Sequence, residues 1–267
     1  SFYVRSNLNS PNYKIYKAAD IDSLDVAVEE IAPHYPDIFI SDHIIFDDYL
    51  VIEIRENGLP GIQKIKLSDK SSSMVAFNEE SYYVSLSYNL DSKDKNFYYS
   101  YSSPTQPVTI YSQELENSDT KNLWQKEINN FDADKYKTSR QFITARDGVK
   151  VPVTITHHND IDLKSSPILF YGYGSYGLTT ESYFRSSIIP LLDRGFVHVL
   201  VNIRGGGEMG KYWYEQGRMF NKLNTFFDFN DAVKSVLNMG IGSKEKVFAQ
   251  GGSAGGLLMG GIINFEP

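Results

Sequence analysis

The segment VFAQGGSAGGLLMG, residues 247–260, decides the fold of the second half of the chain. Val247–Gln250 predicts a short strand, and the apolar residues from Leu257 onward predict a helix. Between them lies Gly251-Gly252-Ser253-Ala254-Gly255, a G-x-S-x-G sequence. In a nucleophile elbow this pattern places serine in a strained strand-to-helix turn with its hydroxyl exposed. Gly251 and Gly255 fit this turn, because side chains there would collide as strand and helix close up.

The same residues also allow a plainer structural interpretation. Ser253 could simply cap a Gly-rich turn, because serine is a favoured residue before a helix. The spacing alone is a weak signal, since glycine and serine are common. The strand before it and the helix after it favour the nucleophile elbow.

Strands and helices alternate along residues 139–267, which indicates a parallel α/β sheet. A hairpin is expected first, with its turn at Asp147-Gly148. Asn224 is a plausible N-cap and Gly240 a plausible residue after the end of the longest helix. The predicted strands are Phe142–Ala145, Val151–Thr156, Pro167–Tyr171, Phe196–Ile203 and Val247–Gln250, and the predicted helices are Glu181–Arg194 and Asn224–Met239.

Residues 1–138 have a different pattern, and of the 20 glycines only Gly58 and Gly61 precede residue 148. Ile21–Ile31 is the one predicted short helix. Hairpins without helical crossovers indicate antiparallel sheets, compatible with a sandwich, a barrel or about three four-stranded propeller blades. The predicted strands are Phe2–Val4, Lys14–Tyr16, Tyr49–Arg55, Gly61–Lys66, Tyr82–Tyr88, Asn96–Tyr101, Thr109–Ser112 and Leu123–Lys126.

Composition excludes several classes of protein. The 267 residues contain no cysteine, so a disulfide framework and Cys-ligated zinc or iron–sulfur sites are excluded. A net charge of −7 argues against a broad nucleic-acid surface. The first residues lack a basic-then-apolar signal pattern, and no apolar run approaches the ~18 residues of a membrane span. We expect no metal, cofactor, nucleic acid or membrane partner.

A second glycine cluster, Gly172-Tyr173-Gly174-Ser175-Tyr176-Gly177, matches the G-x-G-x-x-G fingerprint of dinucleotide-binding folds. The next predicted strand ends in Asn202-Ile203-Arg204 rather than in an acid that would hold a ribose. A role in catalysis beside Ser253 fits this loop better than dinucleotide binding. The Tyr173 hydroxyl and the Ala254 backbone N–H could be the two donors of an oxyanion hole.

These motifs resemble the oligopeptidase B branch of the prolyl oligopeptidase family of serine peptidases. TARDGVKVPV at 144–153 resembles the strand pair where the family's catalytic domain resumes after its propeller. The motifs that carry the resemblance over nearly the whole chain are ENGLPGI (56–62), YSYSSPTQP (99–107), YGYGSYG (171–177), LLDRGFV (191–197), IRGGGEMG (203–210), WYEQG (213–217), NTFFDF (224–229) and GGSAGGLLMG (251–260).

The resemblance implies a fold and a function. The fold is mixed: residues 1–138 are the C-terminal blades of a β-propeller, and residues 139–267 are part of an α/β-hydrolase domain. The function is cytoplasmic hydrolysis of short peptides after Arg or Lys, with no cofactor. Ser253 is the expected nucleophile, and Tyr173 and the Ala254 N–H form the oxyanion hole. Glu181 is a weaker expectation for contact with basic substrate side chains, since a surface helix is the simpler interpretation.

The α/β-hydrolase order is Ser, then Asp or Glu, then His, and the chain departs from it. Only 14 residues follow Ser253, and they include Glu266 but no histidine. Without a general base, a serine hydroxyl is a poor nucleophile. We therefore expect the triad Asp and His to be absent from this chain and an apolar sheet edge to be exposed. All five histidines lie upstream, at positions 34, 43, 157, 158 and 198.

Three hypotheses of function follow. The first is a peptidase that is inactive alone and becomes active with a separate C-terminal fragment supplying Asp and His. The second is a non-catalytic peptide-binding or scaffold protein of the same fold. The third is an esterase or acylaminoacyl-type hydrolase that shares the elbow.

Overall fold

The computed structural model describes residues 1–20 and 28–266. Three antiparallel sheets fill the first half of the described chain. Two of them have four strands joined in sequence order, which is the arrangement of a propeller blade. The strands are β1 Phe2–Ser6, β2 Lys14–Ala18 and β3 Val28–Ala32 in the first sheet; β4 Ile38–Ile45, β5 Tyr49–Glu56, β6 Leu59–Lys66 and β7 Ser72–Met74 in the second; and β8 Tyr83–Leu86, β9 Asn96–Ser103, β10 Gln106–Glu114 and β11 Thr120–Gln125 in the third.

The tight turn between β5 and β6 shows how local chemistry sets the strand register. Asn57 and Gly58 have φ of 52° and 80°, the left-handed backbone that a two-residue hairpin turn needs. Glu56 is therefore paired with Leu59. β6 begins at Leu59, two residues before the start at Gly61 that the sequence predicts.

Aromatic side chains form much of the core in the third sheet. Tyr99 and Tyr101 are buried, and the ring of Tyr101 stacks on Phe77 at 5.3 Å between centroids. The Tyr101 hydroxyl donates to the Glu79 carboxylate at 2.5 Å. Strand tyrosines here act as packing residues with a satisfied polar end.

The expectation of a short helix over Ile21–Ile31 fails where it can be compared with the structure. Residues 21–27 lie outside the described part of the chain. From Val28 to Ala32 the backbone is strand β3, paired antiparallel with β2. Its β-branched and apolar residues Val28 and Ile31 suit a strand that lies against Ile15.

A mixed five-stranded sheet follows, in the order β12-β13-β15-β14-β16. β14 pairs in parallel with both β15 and β16, whereas β12, β13 and β15 are antiparallel neighbours. The expected parallel sheet is thus preceded by the expected hairpin. The strands are β12 Tyr136–Thr144, β13 Lys150–His158, β14 Ile168–Gly172, β15 Val197–Val201 and β16 Val247–Gln250.

β16 is the outer strand of this sheet, and Phe248 on it is 49% exposed. This agrees with the expected apolar sheet edge. β12, the first strand of the mixed sheet, begins at Tyr136, three residues before the predicted start of the α/β-hydrolase part at residue 139.

No helix in residues 1–20 and 28–266 combines the length and hydropathy needed to cross a membrane.

Four α-helices accompany the sheet in the described residues: α1 Ile189–Leu192, α2 Lys211–Glu215, α3 Lys222–Asn238 and α4 Ala254–Phe265. Short 3₁₀ turns cover Ala133–Lys135 and Met219–Asn221. α3 begins before Asn224, so Asn221 rather than Asn224 precedes it. Gly240 has φ of 80° directly after the C-cap Met239, as expected. α4 begins at Ala254, three residues before the predicted start.

The predicted helix Glu181–Arg194 is wrong over most of its length. Only Ile189–Leu192 is helical, with Pro190 in its first turn. Ser182 and Phe184 are held instead by hydrogen bonds to Ser81 and to Ser102 of the third sheet. The Phe184 N–H donates to Ser102 Oγ at 2.9 Å, and Ser182 Oγ accepts from Ser81 Oγ at 2.9 Å. These tertiary hydrogen bonds override the helical periodicity.

A buried charge network joins the end of β15 to α3. The Arg204 guanidinium donates through Nε and Nη2 to both carboxylate oxygens of Asp228, at 2.8 and 2.5 Å. Its Nη1 donates to Asp147 at 2.6 Å. Asp228 is fully buried, and the Arg204 N–H also donates to it at 3.0 Å. Such a two-pronged pair fixes direction as well as distance.

We predict that Asp228→Asn destabilises the fold by about 3–5 kcal/mol, because it leaves the buried Arg204 guanidinium without its main counter-charge. Glu215→Gln is the control, since Glu215 pairs with Arg218 and Lys211 on the surface and its loss should change the free energy of unfolding little. Urea unfolding measures both. Equal losses of unfolding free energy in the two variants would contradict a stabilising role of the buried Arg204–Asp228 pair.

Candidate active site

The turn at Ser253 has the strained geometry of a nucleophile elbow. Ser253 has φ of 53° and ψ of −121°, a conformation that residues other than glycine rarely adopt. It is exposed, and it stands between the end of β16 and the first residue of α4, Ala254. Its side chain makes no capping hydrogen bond to the helix. The conformation therefore differs from the simple helix cap that the sequence also allowed.

Glycines allow the strand and helix to approach at this turn. A Cβ on Gly251 would lie 2.4 Å from the carbonyl oxygen of Gly255. A Cβ on Gly255 would lie 3.1 Å from the carbonyl oxygen of Gly172. Gly252, by contrast, faces open space. Gly251 is thus the more sterically restricted of the two expected elbow glycines.

The sheet brings Tyr173 to the same edge as Ser253. Tyr171 on β14 is paired in parallel with Gln250 on β16, so the carboxyl ends of both strands coincide. A Cβ on Gly255 would lie 3.6 Å from a ring carbon of Tyr173. The structure therefore places Ser253, Ala254 and Tyr173 at one edge of the sheet, and their catalytic roles stay a prediction.

This arrangement can support acyl transfer. Ala254 is the first residue of α4, where the N–H has no partner within the helix. The positive end of the helix dipole favours a developing negative charge there. A tyrosine hydroxyl is a second possible donor beside it. The Ala254 donor is a backbone group at the start of a helix, whereas the Tyr173 donor is a side-chain hydroxyl on the neighbouring loop. Oxyanion stabilisation requires that such donors are in position before substrate arrives.

The dinucleotide alternative does not fit the backbone. A dinucleotide fingerprint needs a helix to begin at the glycine loop, so that its N-terminus faces pyrophosphate. After Gly172 the chain runs without a helix until Ile189. The G-x-G-x-x-G loop therefore has no helix N-terminus at which to hold a phosphate.

Glu181 lies at the boundary between the propeller sheets and the mixed sheet, and not on a surface helix. Its carboxylate accepts from the Arg55 guanidinium of β5 and from the Thr179 hydroxyl. The two charged side chains are only 8% and 15% exposed. The expected role in substrate binding stays a prediction, and any basic substrate group would compete with Arg55 for this carboxylate.

Glu208 is a buried acid beside that ion pair which the sequence did not single out. Its Oε1 accepts from the Thr180 N–H at 2.8 Å, and its Oε2 has no hydrogen-bond partner among the described residues. Burial raises the pKa of Glu208 to about 7, and the charge of Glu181 adds to the increase, whereas Arg55 opposes it. The only sequence signal was an acid directly after three glycines.

The histidines lie away from Ser253 in the topology. His198 is paired with Leu169 inside the sheet, and burial lowers its pKa to about 4. The His157 ring contacts the His158 carbonyl oxygen at 2.9 Å. The Ser253 side chain makes no hydrogen bond to the helix that follows it. Within the described ranges no three metal-ligating side chains cluster.

We predict that Gly251→Ala destabilises the protein by about 1–3 kcal/mol, because the new methyl group overlaps the Gly255 carbonyl oxygen. The matched control is Gly260→Ala in α4, where a Cβ meets nothing within 4 Å. This second change should stabilise the helix by up to about 1 kcal/mol. Urea unfolding of both variants checks the pair, and a neutral Gly251→Ala would count against the steric account.

We predict that Glu208 makes stability fall as pH rises. Between about 4.5 and about 7 the unfolded chain ionises this carboxyl, while the folded chain retains the proton. The folded state then binds more protons, so stability decreases across this window and levels off above it. Glu208→Gln should flatten that slope in urea unfolding at several pH values, whereas Glu215→Gln should leave it. An unchanged slope in Glu208→Gln would show that another group titrates.

Comparisons with known proteins identify the family of both parts of the chain. Residues 1–127 match the family model described as the prolyl oligopeptidase N-terminal beta-propeller domain, and residues 182–267 match the model of the prolyl oligopeptidase family. The chain is 38% identical to dipeptidyl aminopeptidase BI of Pseudoxanthomonas mexicana over 99% of its residues, and it spans 37% of that relative. It is 35% identical to protease 2 of Moraxella lacunata, over 82% of this chain and 32% of that protein.

Solved structures give the same result. Oligopeptidase B from Leishmania major superposes with a TM-score of 0.91 at 31% identity, covering 99% of this chain and 39% of that one. Oligopeptidase B from Trypanosoma brucei with covalently bound antipain, in a closed form, gives 0.90 at 30% identity with the same coverage. With blades, mixed sheet and elbow all in place, the chain belongs to the prolyl oligopeptidase family of serine peptidases, and it contains propeller blades followed by the start of the hydrolase domain.

Proposed function

We propose that this chain supplies the nucleophile and the oxyanion hole of a cytoplasmic serine peptidase of oligopeptidase B type, which hydrolyses short peptides after Arg or Lys. The observation that carries the proposal is the strained, exposed Ser253 at the same sheet edge as Tyr173. The similarity to an oligopeptidase B with covalently bound antipain supports a covalent mechanism.

The chemistry follows from the positions of these groups. Ser253 Oγ attacks the scissile carbonyl carbon while a general base takes its proton. The carbonyl electron pair moves to oxygen, which accepts hydrogen bonds from the Ala254 N–H and the Tyr173 hydroxyl. Collapse expels the amine, which takes up the proton, and leaves an acyl-enzyme on Ser253. Water then releases the acid by the same steps.

We propose that the acid and the base come from a C-terminal fragment that completes the domain, since neither contacts Ser253 in the described residues. The hydroxyl is then weakly nucleophilic in this chain alone. Basic peptides are the proposed substrates, and the net charge of −7 favours their approach.

A second candidate is removal of dipeptides from free N-termini, because the chain is 38% identical to a dipeptidyl aminopeptidase. This activity would use the same Ser253 chemistry with a different limit on substrate length. Fluorogenic peptides ending in Arg distinguish the two candidates. Cleavage of a substrate with a blocked N-terminus supports the endopeptidase, and a strict need for a free amine two residues before the bond supports the dipeptidase.

The test is to produce the chain alone and with the C-terminal part of dipeptidyl aminopeptidase BI that follows the matched region. We expect slow labelling of the chain alone by a fluorophosphonate probe. Labelling should be at least tenfold faster in the complemented sample, because a general base contributes about 10²–10⁴-fold. Ser253→Ala should abolish labelling, and Ser187→Ala, an exposed serine in a turn, should not.

The other outcomes identify the alternatives. Fast labelling of Ser253 in the chain alone would contradict the dependence on a separate acid and base. Peptide binding without labelling in the complemented sample would favour the non-catalytic scaffold. Cleavage of esters or acylated amino acids but not of Arg peptides would favour the esterase or acylaminoacyl-type hydrolase.

A further inference from the structure

The loop that carries Tyr173 has an unusual backbone. Gly174, Tyr176 and Gly177 have φ of 63°, 61° and 64°, so three of the four residues after Tyr173 are left-handed. Such a segment cannot form the repeating hydrogen bonds of a helix or strand. Its polar groups must therefore be satisfied from outside the loop.

A single lysine meets two of these groups. Lys222 Nζ donates to the Gly174 carbonyl oxygen at 2.6 Å and to Ser175 Oγ at 2.9 Å. Ser175 is only 9% exposed, so the contact lies inside the protein. Gly174 directly follows Tyr173, so the ammonium group fixes the peptide next to the proposed oxyanion donor.

Lys222 is poorly placed for helix stability. It is the first residue of α3, where the positive end of the helix dipole disfavours a cation. The first turn of α3 contains no acid, and no carboxylate among the described residues acts on the charge of Lys222. Burial lowers the pKa of the Lys222 ammonium. These three observations indicate that Lys222 does not stabilise α3. Its contact with the loop explains why a lysine stands at this position.

The same loop is packed tightly on its other sides. A Cβ on Gly174 would lie 2.6 Å from side-chain atoms of both Ile203 and Thr225. A Cβ on Gly205 would lie 2.3 Å from the Gly174 carbonyl oxygen. The Gly174 peptide thus has one orientation, with its oxygen against Gly205 and toward Lys222. Thr225, three residues after Lys222, packs against the same glycine from the same helix turn.

We propose that Lys222 is a positioning residue for the oxyanion hole: its ammonium holds the Gly174–Ser175 segment so that the Tyr173 hydroxyl stays directed at the substrate carbonyl. This inference rests on the proposed function only for its catalytic consequence. The orientation of the loop itself is a property of the described chain.

The experiment compares Lys222→Met, Lys222→Gln and Lys222→Arg with Lys234→Met. Lys234 is on the same helix but is 61% exposed and pairs with Glu266. The chain is labelled with ¹³C in tyrosine rings, and the Tyr173 signal is identified with Tyr173→Phe. Amide exchange of residues 174–178 is measured in the same samples, and neither readout needs enzyme activity.

We expect Lys222→Met and Lys222→Gln to shift or broaden the Tyr173 ring signal. They should also speed amide exchange of Gly177 and Leu178 by about tenfold or more, with exchange in β14 and α3 unchanged. Lys222→Arg, which keeps the charge, should restore both readouts toward wild type, and Lys234→Met should leave them unaltered. In the complemented enzyme kcat should fall about 10-fold to 100-fold with KM nearly constant.

Two results would overturn the proposal. One is an unchanged Tyr173 signal with unchanged exchange in the Met and Gln variants. The other is a loss of protection over the whole chain in both of them, which means that Lys222 supports the fold in general. Absence of activity in every complemented sample would refute the proposed function, while the ring signal and the exchange would still decide the role of Lys222.

Discussion

The close contact of three backbone segments at Ser253 is the constraint on which the described site depends. A Cβ on Gly251, directly after β16, would overlap the Gly255 carbonyl oxygen of α4, and a Cβ on Gly255 would press against the Gly172 carbonyl oxygen of β14. A side chain at Gly172 would strike Phe229 and Leu258, which are both buried. The strain at Ser253 is therefore maintained by a packed core on the other side of the turn, as a stored conformation must be.

Polar contacts of residues that follow β15 hold the backbone around the loop of Tyr173. Arg204 fixes the start of the 205–207 loop through Asp228, and its carbonyl oxygen accepts from the Thr225 hydroxyl at 2.8 Å. Gly205 then contacts the Gly174 carbonyl, next to Tyr173. One buried ion pair thus determines where α3 lies relative to the oxyanion loop. Because the pair is bidentate, it sets an angle that apolar packing alone would leave adjustable.

The sequence predicted those features whose cause is local. The elbow glycines and the hairpin turn at Asp147-Gly148, where Gly148 has φ of 87°, need particular dihedral angles, and such needs are visible in neighbouring residues. Glu181–Arg194 was assigned to a helix because its periodicity carries no information about Ser102, whose hydroxyl holds the Phe184 N–H 82 residues away. Lys222 and Gly174 are likewise 48 residues apart. A contact between distant segments leaves no periodic signal, so burial, hydrogen bonding and pKa at the site had to come from the structure.

Three ionisable side chains with little exposure to solvent lie at the boundary between the propeller sheets and the mixed sheet. Arg55 pairs with Glu181, while Arg55 Nη1 and Glu208 Oε2 are both buried without a hydrogen bond among the described residues. Two ionised carboxylates beside one guanidinium would leave an excess negative charge out of water, which is costly. Glu208 avoids this by keeping its proton until pH is near 7. The charge of Arg55 lowers the pKa of Glu208 and the charge of Glu181 raises it, so the ionisation of the buried acid is coupled to the ion pair that joins the propeller to the mixed sheet.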